Sequence, residues 1–183
     1  MAESRRQRLI NNLETKLGTF ITEYEEHINK NKNNSGISRA FFDVVHYAYT
    51  GHSEKGYLQR VELIKAVKKS KDENELLGTI KSFYNDWNTE SNIQTAVRDV
   101  YFMEFGITHK MIDELAKEMP AEPFIPDGVG IGQVVPQNYK SCELQTNAKN
   151  VIMQWIMNNN FGMIETLRLQ SLRSNNELKP LKS

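Results

Sequence analysis

At 183 residues the chain has the length of a single-core domain, and folding at that length hides roughly 70% of the unfolded surface without a disulfide or metal staple. Its 39% hydrophobic and 25% charged residues fall in the ordinary soluble range, and no stretch reaches the ~18 apolar residues of a bilayer span. Twenty-three basic side chains balance twenty-three acidic ones, which argues against a surface built as a whole to hold nucleic acid or anionic membrane.

The charge is not evenly spread. Residues 71–140 carry six basic and twelve acidic groups, a local balance of minus six, between mildly positive flanks. Such a chain can steer copies of itself together or present one basic face while staying neutral. A single cysteine, Cys142, excludes an internal disulfide, and the N-terminus enters a mixed polar pattern with no apolar leader; both are expected of a cytoplasmic, intracellular protein. Eighteen asparagines, with abundant lysine and isoleucine, suggest an AT-rich genome such as that of a bacterium, phage, virus or mobile element.

Ile10, Leu13, Leu17, Phe20, Tyr24 and His27 follow at steps of 3, 4, 3, 4 and 3, a heptad seam that predicts one helix over residues 4–32. A polar Asn/Lys run ends it. Ser38 is expected to cap a second helix whose apolar face is Phe41, Phe42, Val44, Val45 and Ala48, with Gly51 as its left-handed terminator. Ser53 opens a third with Tyr57, Val61 and Ile64 on one face and Lys68 snorkelling at its end. Ser70 to Glu73 reads as a capping box, before a face of Leu76, Leu77, Ile80, Phe83, Tyr84 and Trp87. A second box, Ser91 to Gln94, leads into Ile93, Val97 and Val100 and an end, residues 100–105, that is apolar almost all round. Thr108 caps a short helix stapled by Ile107 and Ile112 and ended by Pro120. Residues 120–140, with four prolines and three glycines, read as a long irregular loop, with helix returning over 141–158 and 161–173. The expected fold is all-α: a single compact multi-helix domain of about seven or eight helices over residues 1–174, with a polar tail at 175–183.

No motif names a chemistry. Gly128, Gly130 and Gly132 lack the Gly-Lys-Ser/Thr of a phosphate loop, and Val134-Val135-Pro136 cannot start the helix that a dinucleotide loop requires. The four histidines match no metal-ligand spacing, and the pairs Glu23 with His27 and His109 with Asp113 read as surface contacts. Cys142 has no histidine assigned to it, and the carboxylates at helix starts answer the helix dipole. No metal and no cofactor is expected. What stands out is apolar surface: the N-terminal seam and a flap over residues 124–136. The expected function is therefore a non-enzymatic helical interaction or assembly protein that binds itself and a further protein. Its contact residues would be Leu13, Leu17, Phe20, Tyr24, Phe124, Val129 and Ile131. The alternative is nucleic-acid binding through basic segments, Arg5, Arg6 and Arg8 with Lys65, Lys68 and Lys69. An enzyme without a recognisable motif ranks third.

Overall fold

The computed structural model describes residues 3–119 and 137–176, of which 137–142 and 175–176 are described by backbone alone. These residues are all-helical: α1 (Arg5–Lys30), α2 (Gly36–Thr50), α3 (Glu54–Lys69), α4 (Glu73–Asn85), α5 (Ser91–Glu104), α6 (His109–Glu118), α7 (Gln137–Met157) and α8 (Phe161–Asn176). Packing groups them into two units, Met1–Glu104 and Phe105–Ser183. Of the loop expected over residues 120–140, residues 120–136, including Phe124, Val129 and Ile131, lie outside the described residues, while 137–140 form the first turn of α7 instead of loop.

In the first unit α1 is the axis, packed on α3, α4 and α5. Its start is fixed by Ser4, whose hydroxyl accepts from the Gln7 amide at 3.2 Å, the side-chain cap that an exposed first turn needs. The seam side chains Leu13 and Leu17 are buried to within 1% of complete, and Leu9, Ile10 and Tyr24 join them. Against this stripe lie Leu63 and Val67 of α3, Leu76 and Ile80 of α4, and Ile93, Val97, Val100 and Tyr101 of α5. Leu13, Leu17 and Tyr24, expected as contacts to another chain, are instead core. Phe20 is half-buried. A heptad stripe has the same spacing whether it meets a neighbouring helix of its own chain or a second copy.

Three local expectations shift. The core face of α3 is Gly56, Arg60, Leu63 and Val67, not Tyr57, Val61 and Ile64, because a buried ion pair lets Arg60 occupy an inward position. The cap of α4 moves two residues on: the Asp72 carboxylate accepts from the Glu75 amide at 2.9 Å, and Glu75 reaches back to accept from the Lys71 amide at 2.7 Å. Ser70 closes α3 instead. Trp87, expected on the buried face of α4, lies past the helix end and is 88% exposed.

In the second unit α6, α7 and α8 pack pairwise around Met111, Ile112, Ala148, Ile152, Met153, Ile156, Ile164 and Leu167. Thr108 caps α6 by accepting from the Met111 amide at 3.2 Å, as its position implied. Gly106 turns the entering chain with φ of 63°. Arg168 of α8 secures that turn, donating to the Phe105 and Gly106 carbonyls at 2.8 Å each.

Candidate functional site

The second helix is built inside out. Ile37, Phe41, Val44 and Ala48 recur at steps of four, three and four and line one side of α2; Arg39, Asp43 and His46, at steps of four and three, line the other. An amphipathic helix of a globular unit ordinarily turns its apolar stripe inward. Here the polar stripe faces the protein. No residue of α2 is buried, and Ile37, Phe41 and Val44 are 91%, 62% and 67% exposed. Phe42, Tyr47 and Tyr49 extend the exposed apolar surface on either side. Both sequence signals at the ends of the helix have clear outcomes. Gly51 terminates it at φ of 70° as expected, whereas the N-cap position is Ser35 and not Ser38, with Gly36 at φ of 55° opening the helix.

Histidine and tyrosine hold the inner side. His27 Nε2 lies 2.7 Å from Asp43 Oδ1, and Arg39 Nε lies 3.5 Å from the other Asp43 oxygen. The His27 and His46 rings stack at 4.0 Å with an interplanar angle of 14°. His46 meets His52 edge-on at 5.6 Å and Tyr24 at 5.8 Å, and His52 sits 4.0 Å from the Phe20 ring. Phe20 is backed by the Arg60 guanidinium, 3.6 Å from its centroid, and Tyr24 stacks on Tyr57 at 5.1 Å. Arg60 is in turn fixed by Glu90, 2.8 Å away, and by the Gly56 carbonyl at 2.9 Å. An open cleft of about 280 Å³ lies beside the cluster, between Tyr24, Val44, Tyr47 and the turn at 52–54.

The ring nitrogens of this cluster define its protonation. Asn31 Nδ2 donates to His27 Nδ1 at 3.2 Å and to the His27 carbonyl at 3.0 Å, while its Oδ1 accepts from Asn34. That fixes the amide orientation and leaves Nε2–H of His27 to donate to Asp43. His46 Nε2 and His52 Nδ1 are buried without a hydrogen-bond partner. Burial pushes His46 below the usual imidazole pKa, with His27 and His52 adding to the effect against a weaker upward pull from Asp43 and Glu23. Burial lowers His52 too, opposed by Glu23 and Glu90 and aided by Arg60. Among the described residues no group of three or more histidine, cysteine, aspartate or glutamate side chains is arranged to hold a metal ion.

Sequence reasoning read these histidines singly. Glu23 was expected to meet His27, but it approaches His52 at 3.6 Å, while His27 reaches across to Asp43. The available signal was His27 itself, a polar residue at the last position of an otherwise apolar seam, together with Asp43 and His46 spaced to share a helix side.

The basic residues proposed for nucleic acid are largely engaged within the first unit. Arg8 pairs with Glu104 at 2.6 Å; Arg5 lies 3.8 Å from both Glu73 and Glu104; Arg6 Nε donates to the Ser70 carbonyl at 2.9 Å. Lys68 pairs with Glu14, whereas Lys65 and Lys69 are exposed. Arginines so placed neutralise α5 and α4 acids and brace the end of α3. The side chain of Cys142 lies outside the described residues, and no helix among those described is long and apolar enough to cross a membrane. No family model, curated protein or solved structure matches the chain.

Proposed function

We propose that the protein is a helical interaction module that associates with a second copy of itself through the outward face of α2. The observation that carries this reading is the inversion of α2: a helix whose apolar stripe is exposed while its polar stripe is packed has its apolar surface committed to something outside the unit. The seam Ile37, Phe41, Val44 and Ala48 has the four-three-four spacing of a two-stranded helix pair, with Ala48 small enough to admit a neighbouring ring.

A second copy suits this face for two reasons. It carries no charged side chain, since Arg39 and Asp43 are both on the inner side and the chain as a whole is neutral. Two such faces meet without like-charge repulsion, and nothing on them selects an oppositely charged partner. The area suits a weak, concentration-dependent association: on this side Phe41 and Tyr47 leave the equivalent of about 1.2 aromatic side chains exposed, or ~180–300 Å² at ~150–250 Å² each. With Ile37 and Val44 added, a symmetric pair buries at most about 700–1,000 Å² in total, the size of a weak, reversible contact. Antiparallel α2 helices related by a two-fold axis would present the same residues to each other.

Light scattering or sedimentation over a concentration series tests the reading, with wild type compared against Phe41→Gln with Val44→Gln. Glutamine keeps helix propensity and removes the apolar contact. Wild type should show mass rising toward twice the monomer with concentration, and the double variant should remain monomeric at concentrations about tenfold or more higher. A monomeric wild type at every concentration, or an association untouched by the double variant, overturns it.

A further inference from the structure

The contacts that hold α2 in place contain no buried apolar side chain of that helix; they are an imidazole stack, an imidazole–carboxylate bond and rings of α1. We propose that His46 and His52, packed against the His27 ring, form a proton-operated latch, which holds α2 against α1 while their imidazoles are neutral and releases it when they charge. This rests on the reading of α2 as the docking helix and supplies its regulation.

His46 and His52 are placed so that a second proton has nowhere to go. His27 anchors the stack, its Nδ1 accepting from the Asn31 amide, whose orientation is set by its bonds to the His27 carbonyl and to Asn34, and its Nε2 bonded to Asp43. At His46 and His52 the nitrogens Nε2 and Nδ1 are buried with no acceptor. Protonating His46 and His52 together puts two cations 5.6 Å apart, with the His27 ring stacked on His46 at 4.0 Å and no room between for a counter-ion. The charged groups facing the rings are the carboxylates of Glu23 on α1, Asp43 on α2, Glu90 beside His52 and Glu54 in the cleft lining, with Arg39 and Arg60 as cations that oppose protonation. Asp43 already shares its two oxygens between His27 and Arg39, Glu23 is no closer than 3.6 Å to His52, and Glu90 is taken by Arg60.

The sign follows from the lowered pKa values of His46 and His52. Above the ordinary imidazole pKa near 6.5 the docked and released states carry the same protons and docking is at full strength; as pH falls below it the released helix takes up protons more readily, and docking is progressively lost. Gly36 and Gly51, at φ of 55° and 70°, lie at the two ends of α2 where the chain can swing. A helix of fifteen residues detached from its support is marginal in water, so release also frays the docking face.

The test is hydrogen exchange by NMR on the full chain between about pH 7.5 and 5.5, with α2 amide rates taken as a ratio to α5 amides so that the intrinsic pH dependence cancels. The ratio should rise by about tenfold or more over that interval, with a midpoint shared by the His46 and His52 ring resonances. In His46→Phe, which keeps a stacked ring and removes the proton site, the rise should shrink to about threefold or less. A flat ratio in wild type, or a rise in His46→Phe equal to wild type, overturns the latch. Should His46→Phe not fold, the wild-type titration decides alone: α2 opening at a pH unrelated to the two ring midpoints also overturns it. Mass measured on the same samples separates the two readings. An α2 that opens with its histidines in a permanently monomeric protein keeps the latch and loses the docking role; association through α2 that ignores pH keeps the docking role and loses the latch.

Discussion

Filling a helical glycine usually stabilises a protein, and at Gly56 it should do the opposite. An alanine in an open helix position gains about 1 kcal/mol over glycine. At Gly18 in α1 and Gly78 in α4 an added Cβ meets nothing within 4 Å, so both should show that gain. At Gly56 the same Cβ would lie 2.7 and 2.8 Å from the two carboxylate oxygens of Glu90 and 2.8 Å from Arg60 Nη1. These are ends of flexible side chains, but the Arg60 side chain is 6% exposed and cannot swing away, so Glu90, at 24%, must withdraw. Its bond to Arg60 at 2.8 Å and the one it accepts from Ser53 at 3.2 Å are then lost or lengthened. Breaking one charge-assisted hydrogen bond costs ~1.5–3 kcal/mol, and more where the surviving charge is as buried as Arg60. After the alanine gain is subtracted, Gly56→Ala should destabilise the first unit by about 1–3 kcal/mol. Urea denaturation followed by circular dichroism reads the difference directly: Gly18→Ala and Gly78→Ala should move the midpoint up and Gly56→Ala down. A Gly56→Ala midpoint at or above wild type would refute the view that the Arg60–Glu90 pair is a fixed support for Phe20 and the His52 ring upon it.

Leu17→Ala, at a position 1% exposed, should cost ~2–5 kcal/mol in the same assay, whereas Phe41→Gln with Val44→Gln should stay within about 1 kcal/mol of wild type; equal losses would mean that the α2 face is covered within the chain. Replacing Arg5, Arg6 and Arg8 together with alanine should lower the thermal midpoint, because the Ser70 carbonyl and the Glu104 carboxylate lose their donors. Loss of nucleic-acid retardation at low salt, with stability unchanged, would instead place those arginines at a binding surface. Burial pushes the phenols of Tyr84 and Tyr101 above the ordinary value near 10, so the stability they contribute is complete below that pH and is lost as pH rises beyond it. Their phenolate absorbance at 295 nm should therefore appear together with loss of helical circular dichroism, and full tyrosine ionisation in the still-folded protein would contradict this.

Much of the local structure is legible in the chain itself. The caps Ser53 and Thr108 and the stop at Gly51 are where short-range hydrogen bonding and left-handed backbone require them. The all-helical class follows from periodicity, which depends only on neighbours within a turn or two. Which side of each helix faces inward is another matter. The seam of α1 and the stripe of α2 have the same four-and-three spacing, yet Leu17 is core and Phe41 is exposed. That choice is made by residues far apart in sequence: α3 and α5 close over the α1 seam, while His27, Asp43 and His46 draw the polar side of α2 inward. The inward turn of Arg60 likewise needs Glu90, thirty positions away, to offset the cost of burying its charge. Sequence determined the helices and several of their ends, though the caps of α2 and α4 fell at Ser35 and Asp72, because those are settled by local backbone and side-chain chemistry; tertiary structure decided the faces, because burial is a contest among all helices for the same limited interior.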